Sequence, residues 1–194
     1  MNIVLAKKED AMVIAKIHKE EIKQGFLSSL GVSFLANFYQ AIIESGQGFC
    51  LVAKENGETV GFICGVFDLG ELYDYFIKKY FLKSIVILYK KFFHFSFVKK
   101  IFETLLYPSK DQHLPRAELL TLAVKKEFQS RGIASLMFEK LVEEFRKRGI
   151  KNFKVLVGEE LKPAIGFYEK MGLQFLKNTE LHENKNSRIY IYNV

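Results

Sequence analysis

The chain has 194 residues, 49% of them hydrophobic, and its 29 basic and 22 acidic residues give a net charge of +7. This length suffices for one well-buried domain and is short for two, so we expect a single domain over residues 1–194, and the charge suits polyanionic partners. The first residues, MNIVLAKKED, lack the features of a secretory signal and no apolar run approaches about 18 residues, which excludes a predicted membrane span and favours a cytoplasmic protein.

The first part of the chain alternates between strand and helix patterns. NIVLA predicts a first strand, and Asp10 is placed to cap a helix whose apolar residues recur at helical spacing. A second helix after GFLSSLG carries the i, i+3, i+4, i+7 stripe of Leu35, Phe38, Tyr39 and Ile42. FCLVAK, the turn ENGE and TVGFICGVF then predict a β-hairpin, because Asn-Gly favours the tight turns that join antiparallel strands.

Neither the cysteines nor the histidines form a pattern of metal ligands. Cys50 and Cys64 lie within apolar stretches without C-x-x-C spacing, so we expect two separate buried thiols. The four histidines are scattered through the chain, at positions 18, 94, 113 and 182. Because zinc ligands usually recur at short spacing, the sequence predicts no metal site.

Residues 71–107, called the aromatic insert below, interrupt the strand pattern with a helical stretch. Tyrosine and phenylalanine alternate there with lysine, as in KKYFLKSIVILYKKFFHF. Such a segment could close the core or cover a binding pocket as an amphipathic helical insert, lie on a membrane surface, or form a homodimer contact. The sequence leaves these alternatives open.

From Ala117 onwards, strand and helix patterns alternate regularly. AELLTLAV predicts a strand, residues 132–148 a helix that Gly149 ends, NFKVLV a strand, and residues 163–171 a short helix before the final strands. Together with the antiparallel hairpin, this order predicts a mixed α/β sheet with helices on both faces.

The turn QSRGIA, residues 129–134, joins the AELLTLAV strand to the helix that follows it. The start of a helix presents unpaired N–H groups and a partial positive charge, and Gly132 lets the backbone approach a ligand closely. This turn therefore suits a pyrophosphate. The G-x-G-x-x-G pattern of dinucleotide-binding folds and the G-K-[ST] of nucleotide-hydrolysing loops are both absent from the sequence.

Three features of this region together resemble the GNAT superfamily of acyl-CoA-dependent N-acyltransferases. Gln129, Gly132 and Ala134 fit that family's Q/R-x-x-G-x-G/A turn, TLAV precedes the turn, and AIGFYEKMGLQF follows at family-like spacing. The resemblance covers residues 117–175 closely. It implies a GNAT-like acyltransferase fold with the helical aromatic insert added, and acetyl-CoA as co-substrate without a metal.

In that family the strand before the turn bonds the pantetheine arm of coenzyme A, and the turn holds the pyrophosphate. The resemblance therefore implies cofactor-binding roles for Leu122, Ala123, Val124, Gln129, Ser130, Arg131, Gly132, Ile133 and Ala134. Arg131 and Lys126 are also placed to offset phosphate charge; the alternative is that they are surface cations without a partner.

Two side chains are candidates for the chemistry. Glu118 is the second residue of AELLTLAV, at the start of the predicted strand, where family members with a direct general base often carry glutamate; alternatively it lies at the exposed start of the strand. Tyr168, in GFYEKMGL, matches the tyrosine that in many relatives hydrogen-bonds the departing CoA sulfur, or else it completes an apolar helix face. Leu161 stands where many relatives have asparagine, so one polar contact of the family is missing.

The resemblance implies an acyltransferase that moves an acetyl group from acetyl-CoA to a primary amine. Glu118 would assist deprotonation of the amine, and backbone N–H groups such as that of Val124 would stabilise the oxyanion. GFLSSLGVSFLANFY loosely resembles acceptor-side helices of GNAT proteins of surface-polysaccharide synthesis, which implies an amino sugar as one acceptor beside other small amines and proteins. The alternatives are a non-catalytic acyl-CoA sensor and a peripheral membrane- or nucleic-acid-binding protein; an acyltransferase is expected to have no nucleic acid partner.

Overall fold

The computed structural model describes residues 1–24, 27–88, 113–182 and 185–194. Its strands are β1 (Asn2–Leu5), β2 (Gly48–Glu55), β3 (Glu58–Val66), β4 (Glu118–Val124), β5 (Asn152–Gly158), β6 (Gln174–His182) and β7 (Lys185–Asn193). The α-helices are α1 (Ala11–Glu21), α2 (Val32–Glu44), α3 (Leu69–Leu88), α4 (Ile133–Lys147) and α5 (Lys162–Lys170). The strands form one mixed sheet in the order β1-β2-β3-β4-β5-β7-β6.

Helices cover both faces of the sheet, because its central strands carry apolar residues on both sides. On the α1–α3 face, Ile14, Tyr39 and Phe62 are fully buried in one core. On the α4–α5 face, Met137 and Phe145 are fully buried in a second core. A mixed sheet between two layers of helices confirms the predicted fold class.

The apolar stripe predicted for the second helix is confirmed. Leu35, Phe38, Tyr39 and Ile42 are all buried on one side of α2. Because residues three and four apart lie on the same face of a helix, this spacing alone turns α2 toward the core.

The predicted side-chain cap of α1 by Asp10 is wrong. The Asp10 carboxylate instead accepts the Lys7 N–H at 2.8 Å and the Lys54 ammonium at 2.9 Å. Lys7 stands before a short 3-10 turn that precedes α1, and Lys54 lies on the neighbouring β2. The carboxylate therefore binds the turn and the sheet rather than the first N–H groups of α1.

The predicted hairpin is confirmed as β2 and β3, and its register pairs the two cysteines. Asn56 and Gly57 both have positive φ, as the tight turn between two twisted strands requires. Cys50 lies directly opposite Cys64 with the Cα atoms 4.2 Å apart, and the two side chains form a disulfide. The expectation of two separate thiols is wrong because directly opposed residues in a non-hydrogen-bonded pair bring their side chains together.

The aromatic insert begins within α3, whose first N–H groups are capped by the Asp68 carboxylate. Asp68 accepts the N–H of Gly70 at 2.9 Å and that of Glu71 at 3.2 Å. The ring of Phe76 packs edge to face against the rings of Phe34 and Phe38 on α2, and so this part of α3 closes the core of the α1–α3 face. Residues 89–107 of the insert lie outside the described residues.

None of the helices among the described residues is both long enough and apolar enough to cross a membrane. α3 is the longest of them. The proposed contacts of the aromatic insert with a membrane surface or with a second copy of the chain stay predictions.

Candidate functional site

β4 and β5 run parallel but are paired only at their beginning. Glu118 pairs with Lys154, and the Lys154 N–H donates to the Ala117 carbonyl at 2.9 Å. No further β4–β5 pair follows in these two fully described strands, whereas β5 stays paired with β7 as far as Gly158. The facing edges of β4 and β5 beyond Glu118 therefore border a gap in the sheet.

The register of β4 with β3 decides which backbone groups face this gap. The Lys125 N–H donates to the Val60 carbonyl at 2.8 Å, and in an antiparallel ladder every second residue bonds the same neighbour. Ala123 therefore directs its N–H and C=O toward β3, whereas Leu122 and Val124 direct theirs toward the gap. An extended ligand arm in the gap would meet these peptide groups as a neighbouring strand would.

The turn after β4 leads directly from this gap to the start of α4. Gln129 Nε2 donates to the Val124 carbonyl at 2.8 Å, which ties the turn to the end of the strand. Ser130 and Gly132 have φ of 62° and 77°, in the left-handed region that favours glycine. A Cβ atom built on Gly132 would meet no heavy atom within 4 Å, so a ligand can approach the backbone there.

The beginning of α4 is anchored to the core of the α4–α5 face. Ile133 is buried in the core of the α4–α5 face, and Ala134 packs partly buried against it. The Leu136 N–H donates to the Gly132 carbonyl at 3.1 Å, so the N–H groups of Ile133 and Ala134 precede the first hydrogen bond of the helix. Such groups have no acceptor within the helix and suit an anion.

The charged side chains beside the turn are exposed. The Arg131 guanidinium donates to the Glu127 carbonyl at 2.8 Å and lies 4.9 Å from the centre of the Phe128 ring. Lys126 has an exposed side chain, and its N–H donates to Glu21 Oε1 at 3.1 Å. Arg131 and Lys126 therefore add positive charge next to the start of α4, while Glu21 connects α1 to the turn.

Glu118 is buried at the point where β4 and β5 separate. The residue is 4% exposed, which excludes the alternative of an exposed strand start. Its Oε2 atom lies 3.6 Å from Lys154 Nζ and has no hydrogen-bond partner within the described chain. Burial raises the pKa of Glu118 to about 7, although Lys154 acts to lower it. Tyr73 of α3 lies near the same carboxyl: burial raises the pKa of Tyr73, and the charge of Glu118 raises it further.

A buried chain of polar side chains supports β4 from the α1–α3 face. Tyr39 on α2 hydrogen-bonds His18 Nδ1 of α1. Burial raises the pKa of Tyr39, and Thr121 of β4 lies close enough to its hydroxyl to lower that pKa in part. His18 Nε2 lies 3.0 Å from the Ser28 hydroxyl. Burial lowers the pKa of His18 to about 4, so its ring is neutral at physiological pH. This chain lies next to Leu120, where the β3–β4 ladder shifts by one residue.

Tyr168 lies on α5 in the core of the α4–α5 face. It is 8% exposed, and its ring packs edge to face against Phe167. Burial alone raises the pKa of Tyr168, and its hydroxyl makes no hydrogen bond within the part of the chain that the structure describes. Leu161 precedes α5 and Pro163 occupies its first turn, so the helix begins without a side-chain cap.

The structure thus brings the strand edge and the turn together, because they follow one another in sequence around the gap. Glu118 and Tyr168 lie on opposite faces of the sheet. The sequence alone missed Lys154 and Tyr73, although a lysine within the apolar strand NFKVLV was a visible signal. Among the described residues, no group of three or more His, Cys, Asp and Glu side chains could hold a metal ion.

The sequence matches the acetyltransferase (GNAT) family over residues 17–173. It is also 36% identical over 58 residues to an uncharacterized N-acetyltransferase of Methanocaldococcus jannaschii. That match spans 30% of this chain and 26% of the archaeal protein.

Solved structures share the fold along the whole chain. An acetyltransferase of the GNAT family from Streptococcus pneumoniae has a TM-score of 0.61 at 15% identity, covering 100% of this chain and 99% of its own. The Salmonella typhimurium protein yncA, solved with its cofactor acetyl-CoA, has a TM-score of 0.63 at 13% identity, covering 100% and 93%. A sequence match over most of the chain and the same fold lead to one conclusion: the chain belongs to the acetyltransferase (GNAT) family.

Proposed function

We propose that this chain, as a single domain, transfers an acetyl group from acetyl-CoA to a primary amine of a small molecule, such as an amino sugar, or of a protein. The observation that carries the proposal is the gap between β4 and β5, which opens beside the free N–H groups at the start of α4. A ligand with an extended arm joined to a pyrophosphate needs these two features side by side.

The residues around the gap fit coenzyme A. Leu122 and Val124 offer backbone groups to the pantetheine arm, while Ala123 lies between them with its own groups bonded toward β3. Gln129, Ser130 and Arg131 lead into the start of α4. There Gly132 leaves room for the pyrophosphate, and Ile133 and Ala134 supply N–H groups of the first turn. When bound, acetyl-CoA supplies a thioester carbonyl that an amine can attack.

Glu118 is the proposed general base. An amine with a pKa near 10 is neutral in only about one part in a thousand at pH 7, so attack requires removal of a proton. A base works best when its pKa lies near the working pH, and burial places that of Glu118 at about 7. Glu118 Oε2 is free to accept the proton, directly or through one water, and the Val124 N–H faces the gap to stabilise negative charge on the carbonyl oxygen.

Tyr168 is proposed to assist the leaving sulfur from the α4–α5 face. A phenol has a pKa near 10 and a thiol near 8.5, so full proton transfer to the thiolate is uphill even without burial. Burial raises the pKa of Tyr168 and makes that transfer less favourable still. Its role is therefore to donate a hydrogen bond to the sulfur, because its hydroxyl has no other partner within the described residues.

The acceptor is proposed to approach from the α1–α3 face, because Tyr73 lies in the core of that face and is near enough to Glu118 that, beyond the effect of burial, the charge of Glu118 raises the pKa of Tyr73 further. α3 is the first part of the aromatic insert, which would then cover the acceptor side, while a homodimer contact or a membrane-surface contact would involve its outer surface. The solved structures share the fold at under 25% identity, so they do not narrow the class of amine.

The proposal is tested by measuring free thiol released from acetyl-CoA in the presence of amino sugars, polyamines, free amino acids and peptides. We expect turnover with at least one amine, and its loss in Glu118→Gln. Binding of acetyl-CoA without turnover on any amine would favour a non-catalytic sensor. A protein that binds anionic lipid vesicles or nucleic acid but not acetyl-CoA would contradict the proposal altogether.

A further inference from the structure

We propose that Lys154 is a positioning residue of the acetyl-transfer reaction, which holds the buried Glu118 in its carboxylate form and leaves one carboxylate oxygen free to accept the proton of the acceptor. This inference rests on the role proposed for Glu118 and assigns a function to a residue on the neighbouring strand.

Glu118 and Lys154 are brought together by the ladder pair that joins β4 to β5 in the described part of the chain. Both are almost fully buried, at 4% exposure for Glu118 and 7% for Lys154. The apolar neighbours Phe153, Val155 and Val157 of β5 turn to the core of the α4–α5 face. Alternation along the strand therefore turns Lys154 to the opposite face, which is also the face of Glu118.

The ammonium of Lys154 is fixed at a distance from the carboxylate. Its Nζ donates to the Pro115 carbonyl at 2.7 Å and lies 3.6 Å from Glu118 Oε2. A direct hydrogen bond would occupy a lone pair of that oxygen and reduce its basicity. At 3.6 Å the positive charge still favours the ionised form, and Oε2 has no hydrogen-bond partner among the described residues.

Burial raises the pKa of Glu118, whereas the positive charge of Lys154 lowers it. A carboxyl removed from water without a cation nearby keeps its proton and cannot serve as a base. Among the described residues, Lys154 from β5 and Tyr73 from α3 interact electrostatically with Glu118, and Arg116 precedes it by two residues in the chain. Tyr73 is kept neutral by burial, and Arg116 is exposed and lies 3.4 Å from Asp68. Of these only Lys154 lowers the pKa of Glu118, which burial raises to about 7.

Lys154 could instead serve only to anchor the segment around Pro115. An anchoring role predicts that loss of the ammonium lowers stability and the maximal rate without changing the pH at which the enzyme becomes active. The proposed role predicts a change in that pH, because Glu118 then needs a higher pH to ionise. The two roles are therefore distinguished by the pH dependence of the reaction rate and not by the rate at a single pH.

The experiment compares kcat/KM for the acceptor between pH 5.5 and 9.5, at saturating acetyl-CoA, for the wild type, Lys154→Met, Lys154→Gln and Lys154→Arg. We expect kcat/KM of the wild type to fall on the acid side of the profile, with the midpoint of this acid limb near pH 7. Both uncharged variants should move it upward by at least one pH unit and recover to within about threefold of the wild-type plateau at high pH, whereas Lys154→Arg should keep it within about half a unit. Acid limbs at the wild-type pH in the folded uncharged variants would overturn the proposal.

A second measurement needs no turnover. The pH dependence of unfolding by urea is compared for the wild type, Lys154→Met, Glu118→Gln and the double variant. We expect the stability of Lys154→Met to keep falling to a higher pH than that of the wild type, and this difference to vanish in the Glu118→Gln background. An unchanged profile would overturn the coupling of Lys154 to Glu118. If the pH dependence of unfolding changes but the protein turns over no amine, the coupling of Lys154 to Glu118 stands and the proposed acetyl transfer fails.

Discussion

Gly132→Val tests the proposed pyrophosphate-binding site at the start of α4. Residues other than glycine pay about 1–2 kcal/mol in the left-handed region, where Gly132 has a φ of 77°. The new side chain meets no atom within 4 Å of its Cβ, so this strain is the main cost to the unliganded protein. For a chain of this size, 1 kcal/mol corresponds to about 2–4 °C in the melting temperature, and we expect a loss of about 2–8 °C.

The effect on the ligand should be larger, because the valine side chain would occupy the open space where the pyrophosphate is proposed to lie. If acetyl-CoA binds as proposed, a concentration of a hundred times its dissociation constant should stabilise the folded wild type by about 2.7 kcal/mol. That corresponds to a rise of about 5–11 °C in the wild-type melting temperature. We expect this rise to disappear in Gly132→Val, as measured by thermal melts with and without acetyl-CoA.

The matched control is Gly149→Val at the other end of α4. Gly149 has a φ of 73° and, like Gly132, no atom within 4 Å of an added Cβ. The two substitutions therefore carry similar strain at sites of opposite helix polarity. An equal acetyl-CoA shift in both variants would refute the assignment of the pyrophosphate to the turn before α4.

The remaining predictions concern three buried polar side chains. Tyr168→Phe should keep the fold and most of the acetyl-CoA affinity, because its ring still packs against Phe167. We expect kcat, measured by thiol release, to fall at least tenfold. An unchanged kcat at neutral pH would show that Tyr168 serves only to pack the core. Glu118 binds its proton up to about pH 7 in the folded state and up to about 4.5 when unfolded, so the free energy of unfolding should fall as pH rises between these values, by about 1.4 kcal/mol per unit of difference. Glu118→Gln should remove this slope in urea titrations, and a parallel slope in both proteins would contradict the effect of burial. His18 has the opposite sign: its folded pKa of about 4 lies below the ordinary 6.5, so stability is present above pH 6.5 and is lost as pH falls toward 4. In His18→Gln this acid-side loss should be smaller, and an unchanged loss would show that other groups cause it.

The elements that follow from local patterns could be predicted from the sequence. The buried stripe of α2 and the Asn56–Gly57 hairpin depend on residues that are close in the chain. The turn before α4 belongs to the same class, since the Gln129 side chain bonds the Val124 carbonyl five residues earlier and Gly132 supplies a positive φ. Short-range spacing is sufficient to specify such features.

Pairings between distant strands could not be predicted in the same way. The disulfide of Cys50 and Cys64 requires the register of the hairpin, and the approach of Lys154 to Glu118 requires that β4 and β5 be parallel neighbours. A shift by one residue would turn each of these side chains to the other face of the sheet. Tyr73 was missed for a related reason, because it enters the site from the aromatic insert, whose position relative to β4 no local pattern fixes.

The early separation of β4 from β5 also divides the sheet mechanically. β1 to β4 form one continuous hydrogen-bonded block and β5 to β7 another, and among the described residues the Glu118–Lys154 pair is the single ladder link between the two blocks. A ligand arm that hydrogen-bonds the backbone groups of Leu122 and Val124 would fill the gap between β4 and β5 and restrict the motion of the two blocks relative to each other. We therefore expect acetyl-CoA to slow amide hydrogen exchange along both β4 and β5, including in β5 residues that touch no part of the ligand.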